Sequence, residues 1–246
     1  MGKSMMRNLT IAGTGSSSGG SFNNVSISGE GKVDGNVECN SFKVMGTFQM
    51  RGNLKATTGK LMGTAAFKGN LNSDVFEVAG TADIAGSAVI KELKIQGVFD
   101  TEGNLSSDII KLYGQLKVQG DCNTEGFISK GPFKIGGLLN VGNEELELHS
   151  KCEAREIGGE KIHIKRGTDL LLKRIVKFFY MPADFYKGHL TTECIEGDDI
   201  YLEYTKAGVV RGNNVKVGPG CEIGLVEYKE EFGNIGDSLV KESRKV

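Results

Sequence analysis

Residues 29–69 read GEGKVDGNVECNSFKVMGTFQMRGNLKATTGKLMGTAAFKG, and in that stretch Gly29, Gly46 and Gly63 fall 17 residues apart, as do Gly35, Gly52 and Gly69. Both series continue along the chain, through Gly80, Gly97, Gly114 and Gly131 in the first and Gly86, Gly103, Gly120 and Gly137 in the second. A fixed period held in two interleaved registers is the signature of a repeat architecture.

The apolar residues keep the same period. Counting from the first glycine of each unit, the fifth position reads Val33, Met50, Phe67, Ile84, Thr101, Val118, Ile135 and Cys152. The sixteenth reads Val44, Leu61, Val78, Ile95, Leu112, Ser129 and Leu146, and a further column holds Phe42, Phe76, Leu93, Ile110 and Phe127. Between them stand polar residues such as Lys43, Lys60, Glu77, Lys94 and Lys111, so each unit consists of short alternating strands with one buried face. Val33, Phe67, Ile84, Val118, Ile135, Val78 and Ile95 are the expected rung core. A unit this small makes no core alone, whereas stacked units do, each hydrogen-bonded to the next at about 4.8 Å. The fold class is therefore all-β, a β-solenoid of 17-residue rungs. After the second glycine come Asn36, Asn53, Asn70 and Asn104, with Ser87 and Asp121 in the same column, which reads as a polar ladder at a corner that stabilises the stack.

The same chemistry returns over residues 190–228, where Ile195, Ile200, Leu202, Val209, Val215, Val217, Ile223 and Val226 are spaced like further rungs without the strict 17. The expected organisation is a flexible tail over 1–21, rungs over 22–164, an insert over 165–189, rungs again over 190–228 and a flexible tail over 229–246. Thr168 or Asp169 can cap a helix from about Leu170 to Met181, which Pro182 closes. Leu171, Leu172, Ile175, Val176, Phe178 and Phe179 share one face of it, and Lys173, Arg174 and Lys177 the other. With Lys161, Lys165 and Arg166 close by, this pattern suits an interfacial membrane helix; packing on the solenoid and docking in a partner's groove are the other readings.

Composition narrows the function. Glycine makes up 36 of 246 residues, about twice the usual share of roughly 7%. A net charge of −1 argues against general nucleic-acid binding, which needs a basic surface to displace counterions. Cys39, Cys122, Cys152, Cys194 and Cys221 form no close pair and read as reduced, buried thiols of a cytoplasmic protein. No run of apolar residues is long enough for a transmembrane helix. His149, His163 and His189 have neither metal-ligand spacing nor a nucleophile signature, and Glu193, Glu196, Asp198 and Asp199 read as a solvated rung face. No cofactor, metal or catalytic residue is expected. The enzymatic alternative is a left-handed β-helix acyltransferase of the hexapeptide type, since NNVKVGPGCEIG over 213–224 approaches that rhythm and His189 is available to it.

Runs such as VSISGEGKVDGNVECNSFKVMG (25–46) and LKVQGDCNTEGFISKG (116–131) resemble the glycine-marked rungs of the bactofilins, bacterial polymer-forming cytoskeletal proteins. The ending EGDDIYLEYTKAGVVRGNNVKVGPGCEIGLVEY (196–228), with the insert before it, is similar to longer Gram-positive members. The resemblance implies a right-handed β-helix and a scaffold that assembles end to end, without nucleotide, into filaments serving cell shape, envelope assembly or motility. It implies self as the first partner, with a paralogous copolymer subunit and the anionic inner face of the cell membrane as others. An uncapped solenoid end exposes unpaired backbone and core side chains and must be covered or paired. The expected ends are Phe22, Val25 and Ile27 at the first rung and Ile223, Val226 and Tyr228 at the last.

Overall fold

The structure, a computed structural model, describes residues 7–167 and 188–246, without the side chains of 143–145. The chain divides into two compact units, the first ending at Gly120 and the second beginning at Asp121. The helix expected over 170–181, with Leu171, Leu172, Lys173, Arg174, Ile175, Val176, Lys177, Phe178 and Phe179, lies outside the described residues.

The first unit opens with the long strand β1 (Leu9–Val44), followed by β2 (Thr47–Arg51) and β3 (Leu54–Leu61). Four-residue strands β4 (Thr64–Phe67), β6 (Thr81–Ile84), β8 (Val98–Thr101) and β10 (Gln115–Val118) then alternate with eight-residue strands β5 (Leu71–Val78), β7 (Ala88–Ile95) and β9 (Leu105–Leu112). Each strand pairs in parallel with its equivalent one rung on, so that Thr64 lies beside Thr81 and Leu71 beside Ala88. This is the β-solenoid with rungs 17 residues apart that the glycine spacing predicts. Val33, Phe67, Ile84, Val118, Val78 and Ile95 are 2% exposed or less.

Packing inside the stack alternates large and small. Along one inward column Phe42 is followed by Gly59 and Phe76, and along another Phe48 is followed by Ala65, Ala82 and Phe99. Phe42, Phe48 and Phe67 form an aromatic cluster with centroids 5.3–6.0 Å apart, in the edge-on and tilted geometries aromatic quadrupoles favour. The space at Gly59 is taken by the Phe76 ring, which a Cβ there would strike. The first glycine column is fixed by backbone proximity: a Cβ on Gly46, Gly63 or Gly80 would run into the carbonyl oxygen of the glycine one rung before.

The N-terminal tail expectation is corrected. β1 starts at Leu9, Ile11 is buried, and the Asn23 N–H donates to the Arg7 carbonyl at 2.9 Å. A Cβ on Gly29 would meet Gly13, and one on Gly35 would approach Gly19, so residues 9–20 form a rung of their own. Its interval is 16 rather than 17, and backbone hydrogen bonds hold Gly- and Ser-rich sequence as readily as apolar sequence.

The second unit comprises β11 (Cys122–Ser129), β12 (Phe133–Val141), β13 (Asn143–Leu148), β14 (Lys151–Arg166), β15 (His189–Leu202), β16 (Thr205–Val217), β17 (Glu222–Asn234) and β18 (Leu239–Lys245). Ile135, the remaining expected core residue, is 2% exposed. β14 pairs in parallel with β15, which pairs with β16, and so on to β18, with intervals of 15 from Leu190 to Thr205, 16 from Lys206 to Glu222 and 17 from Glu222 to Leu239. The C-terminal tail expectation is corrected too: Glu222–Tyr228 lie beside Leu239–Lys245 in unbroken parallel order, although the side chains of β18 are mostly exposed.

The chain leaves and re-enters the stack at one corner on either side of residues 168–187. The Gly167 N–H donates to the Leu148 carbonyl at 3.0 Å and the His189 N–H to the Ser150 carbonyl at 3.3 Å. Lys151 lies directly beside His189, so the rungs run on across the interruption.

Candidate functional site

A repeat fold has no single cleft by construction, and its functional surfaces are its corners, its faces and its terminal rungs. One corner is built by the Asn column. Asn36 Oδ1 accepts from the Asn53 N–H, Asn53 Oδ1 from the Asn70 N–H and Asn70 Oδ1 from the Ser87 N–H, each at 2.8 Å. Ser87 Oγ accepts from the Asn104 N–H at 3.1 Å, and in the second unit Asp121 Oδ1 accepts from the Leu138 N–H at 2.8 Å. Each side chain caps a backbone donor of the next rung, so the column's oxygens are committed to holding the stack. Its role is structural.

The outward faces carry ion pairs between neighbouring rungs, including Lys55–Glu38 at 2.7 Å, Lys91–Asp74 at 2.8 Å and Lys117–Asp100 at 2.8 Å. Such exposed pairs contribute little individually. The second unit holds a more enclosed set, in which Glu227 lies between Arg211 and Arg244 of the adjoining rungs. Hydrogen bonds from Arg244 and then Arg211 hold the Glu227 carboxyl below the usual range. Elsewhere in the second unit Tyr201 Oη donates to Glu203 Oε1 at 2.7 Å, and that bond, with burial, pushes the phenol up to about 12. Arg166 lies over the Tyr204 ring at 4.3 Å.

Burial pushes the Cys122 and Cys152 thiols up to about 12 and those of Cys39 and Cys221 to about 11, far from the thiolate a nucleophile or metal ligand needs. Cys194 is raised as well, burial again being the first cause. His149 is held against Glu147 at 3.1 Å, and His163 stacks edge-on to Tyr201 at 4.9 Å. His189, which an acyltransferase would need on an extended loop, opens β15 with its backbone tied to Ser150. Among the described residues no group of three His, Cys, Asp or Glu can hold a metal, and no helix is long and apolar enough to cross a membrane.

The expected end residues are not at ends. Phe22, Val25 and Ile27 are 1% exposed or less, because the rung over 9–20 lies outside them. Ile223 and Val226 are equally buried beneath β18, and Tyr228 pairs with Lys245. The outermost rung of the second unit is β18. Thr192, Ala207 and Ile223 form a buried inward column that ends in half-exposed Val240; the next column, Ile195, Val210 and Val226, ends in exposed Ser243. Sequence reasoning missed Val240 because VKESR, over 240–244, offers a single apolar residue to recognise.

Residues 2–89 match the family described as bactofilin, polymer-forming cytoskeletal. Two Bacillus subtilis (strain 168) proteins are similar: uncharacterized protein YhbF, 40% identical over 111 residues, and uncharacterized protein YhbE, 37% identical over 113. Each match covers 45% of this chain and 42% or 44% of the relative, so the matched part spans less than half the length of either. No solved structure matches. Nothing in the stack or in these relatives supports the acyltransferase alternative.

Proposed function

We propose that this protein is a non-enzymatic cytoskeletal scaffold whose solenoid assembles end to end into filaments without nucleotide or metal. The bactofilin match supports the polymer-forming class. The observation that carries assembly is the opening of two core columns at β18, where half-exposed Val240 and exposed Ser243 lie beside buried Ile223 and Val226 and no other described strand pairs with β18. Leu239 on the same rung is 57% exposed and Ile235 just before it 56%. An open parallel edge with exposed apolar residues invites pairing with another chain.

The filament lies in the cytoplasm at the inner face of the cell membrane, with a paralogous subunit as a second partner. The six basic groups among residues 161–177 support an anionic lipid contact. Negative-stain electron microscopy of the full chain without nucleotide tests assembly. Thin filaments are expected from the parent and none from Val240→Lys, with unchanged circular dichroism in the variant. Uniform small particles from the parent would overturn the reading. Ile175→Glu with Phe178→Glu tests the insert's share in vesicle pelleting.

A further inference from the structure

One corner of the first unit differs from the rest of its surface. The eight-residue strands end in the outward lysine column Lys43, Lys60, Glu77, Lys94 and Lys111, which lie side by side in parallel register. Two residues further on, at the turn, the outward column reads Met45, Met62, Ala79, Gln96 and Tyr113. Met45 is 48% exposed, Met62 41% and Tyr113 49%, an unusual state for such side chains at a regular spacing. Beyond the corner glycines come Thr47, Thr64, Thr81, Val98 and Gln115, so Glu77 is the sole acid in these three columns, while Glu92 stands two residues before Lys94 on the same outward face.

The charges are unbalanced in place. Glu77 pairs with Lys60 at 3.2 Å, and Lys43, Lys94 and Lys111 make no ion pair among the described residues. Lys94 and Lys111 are direct neighbours, an arrangement in which like charges repel unless an anion lies across them. Elsewhere on the unit, Lys55, Lys91 and Lys117 each have an acidic partner one rung away.

The ridge is also rigid. Met62 N–H donates to the Val44 carbonyl, Gln96 N–H to that of Val78 and Tyr113 N–H to that of Ile95, all within 2.8 Å, and Thr64, Thr81, Val98 and Gln115 are tied to the glycine carbonyls one rung before. Ordering on contact therefore costs this backbone little. Interruption of the apolar column by Ala79 and Gln96 suits a fluid anionic surface, which imposes no spacing, better than a protein groove.

We propose that this Lys/Met/Tyr corner is a contact surface for an anionic lipid bilayer, with the lysines at the headgroups and Met45, Met62 and Tyr113 entering the interface. This deepens the membrane reading above and rests on it. Each subunit binds weakly, since roughly 1 kcal/mol per lysine is available near an acidic leaflet. Subunits linked in a polymer bind together, and weak contacts multiply.

Full-length protein is pelleted with vesicles of phosphatidylglycerol and phosphatidylcholine, and with phosphatidylcholine alone. The parent should follow the acidic vesicles only, and Lys94→Glu with Lys111→Glu should lower the partition about tenfold or more at an unchanged thermal melt. Lys94→Gln with Lys111→Gln replaces that pair should charge reversal disturb the fold. The chain has no tryptophan, so Met62→Trp is a clean reporter whose emission should shift to the blue on acidic vesicles. Parent-like pelleting of both lysine variants, or an unshifted Met62→Trp, overturns the corner; if Ile175→Glu with Phe178→Glu then abolishes pelleting, membrane association stands without it. A parent that ignores acidic vesicles overturns both, including the case in which an acidic protein is the ridge's partner.

Discussion

Phe76 and Gly59 offer the sharpest test of how the rungs fit together. Phe76 is wholly buried and its ring fills the space over Gly59, one rung before it in the same column. Phe76→Ala removes the ring and leaves a cavity that the hydrogen-bonded backbone on either side prevents from closing, at about 3–5 kcal/mol. Gly59→Ala introduces a methyl where the ring already lies, and overpacking of this kind costs about 1–3 kcal/mol. The two sites share one volume, so the double variant should be less destabilised than the sum, with a coupling of about 0.5–3 kcal/mol. Thermal unfolding followed by circular dichroism reads this as a loss of roughly 6–20 °C for Phe76→Ala, at about 2–4 °C per kcal/mol for a chain of this size. Strict additivity, or a Gly59→Ala variant that melts with the parent, would refute the packing of one rung's ring over the preceding rung's glycine.

Two further outcomes follow from the titrating groups. The Glu227 carboxyl is held below its usual value, so its contribution to stability is present above the unfolded-state value of about 4.3 and is lost as pH falls through the lower folded value. Glu227→Gln should therefore weaken protection of β18 amides in hydrogen exchange at pH 7, with the difference from the parent shrinking in acid; equal protection at pH 7 would show that the Arg211–Glu227–Arg244 set does not hold the last rung. Cys122 and Cys152, with thiols near 12, should resist iodoacetamide at pH 8 in the folded protein and react at once in urea, and fast labelling of the folded chain would contradict their burial.

The interior was legible from sequence where side chains announce it. Val78 and Ile95 recur at the 17-residue period of the rungs, and Thr101 and Ser129 fell in inward columns despite their hydroxyls. The structure shows how these two are accommodated: Thr101 Oγ1 donates to the Gly86 carbonyl at 2.8 Å and Ser129 Oγ to that of Gly131 at 3.0 Å. The terminal rungs were not legible. Residues 9–20 and 239–245 carry few apolar residues, and the first follows a 16-residue interval that a search for 17 passes over. The ridge of Lys43, Met45, Met62 and Tyr113 was visible as letters, but its uncompensated charge emerges only when each lysine's neighbours are known.

By itself the sequence determined the repeat, the strand alternation, the inward columns and the places where only glycine fits. Those depend on side-chain size and polarity, which the letters state directly. Only the tertiary structure decided that residues 9–20 and 239–245 pair as rungs, that the Asn column binds backbone N–H groups, and that the chain leaves and returns at Leu148–Ser150 without breaking the rungs. The reason is that rungs are joined by backbone hydrogen bonds, which every residue except proline can make whatever its side chain.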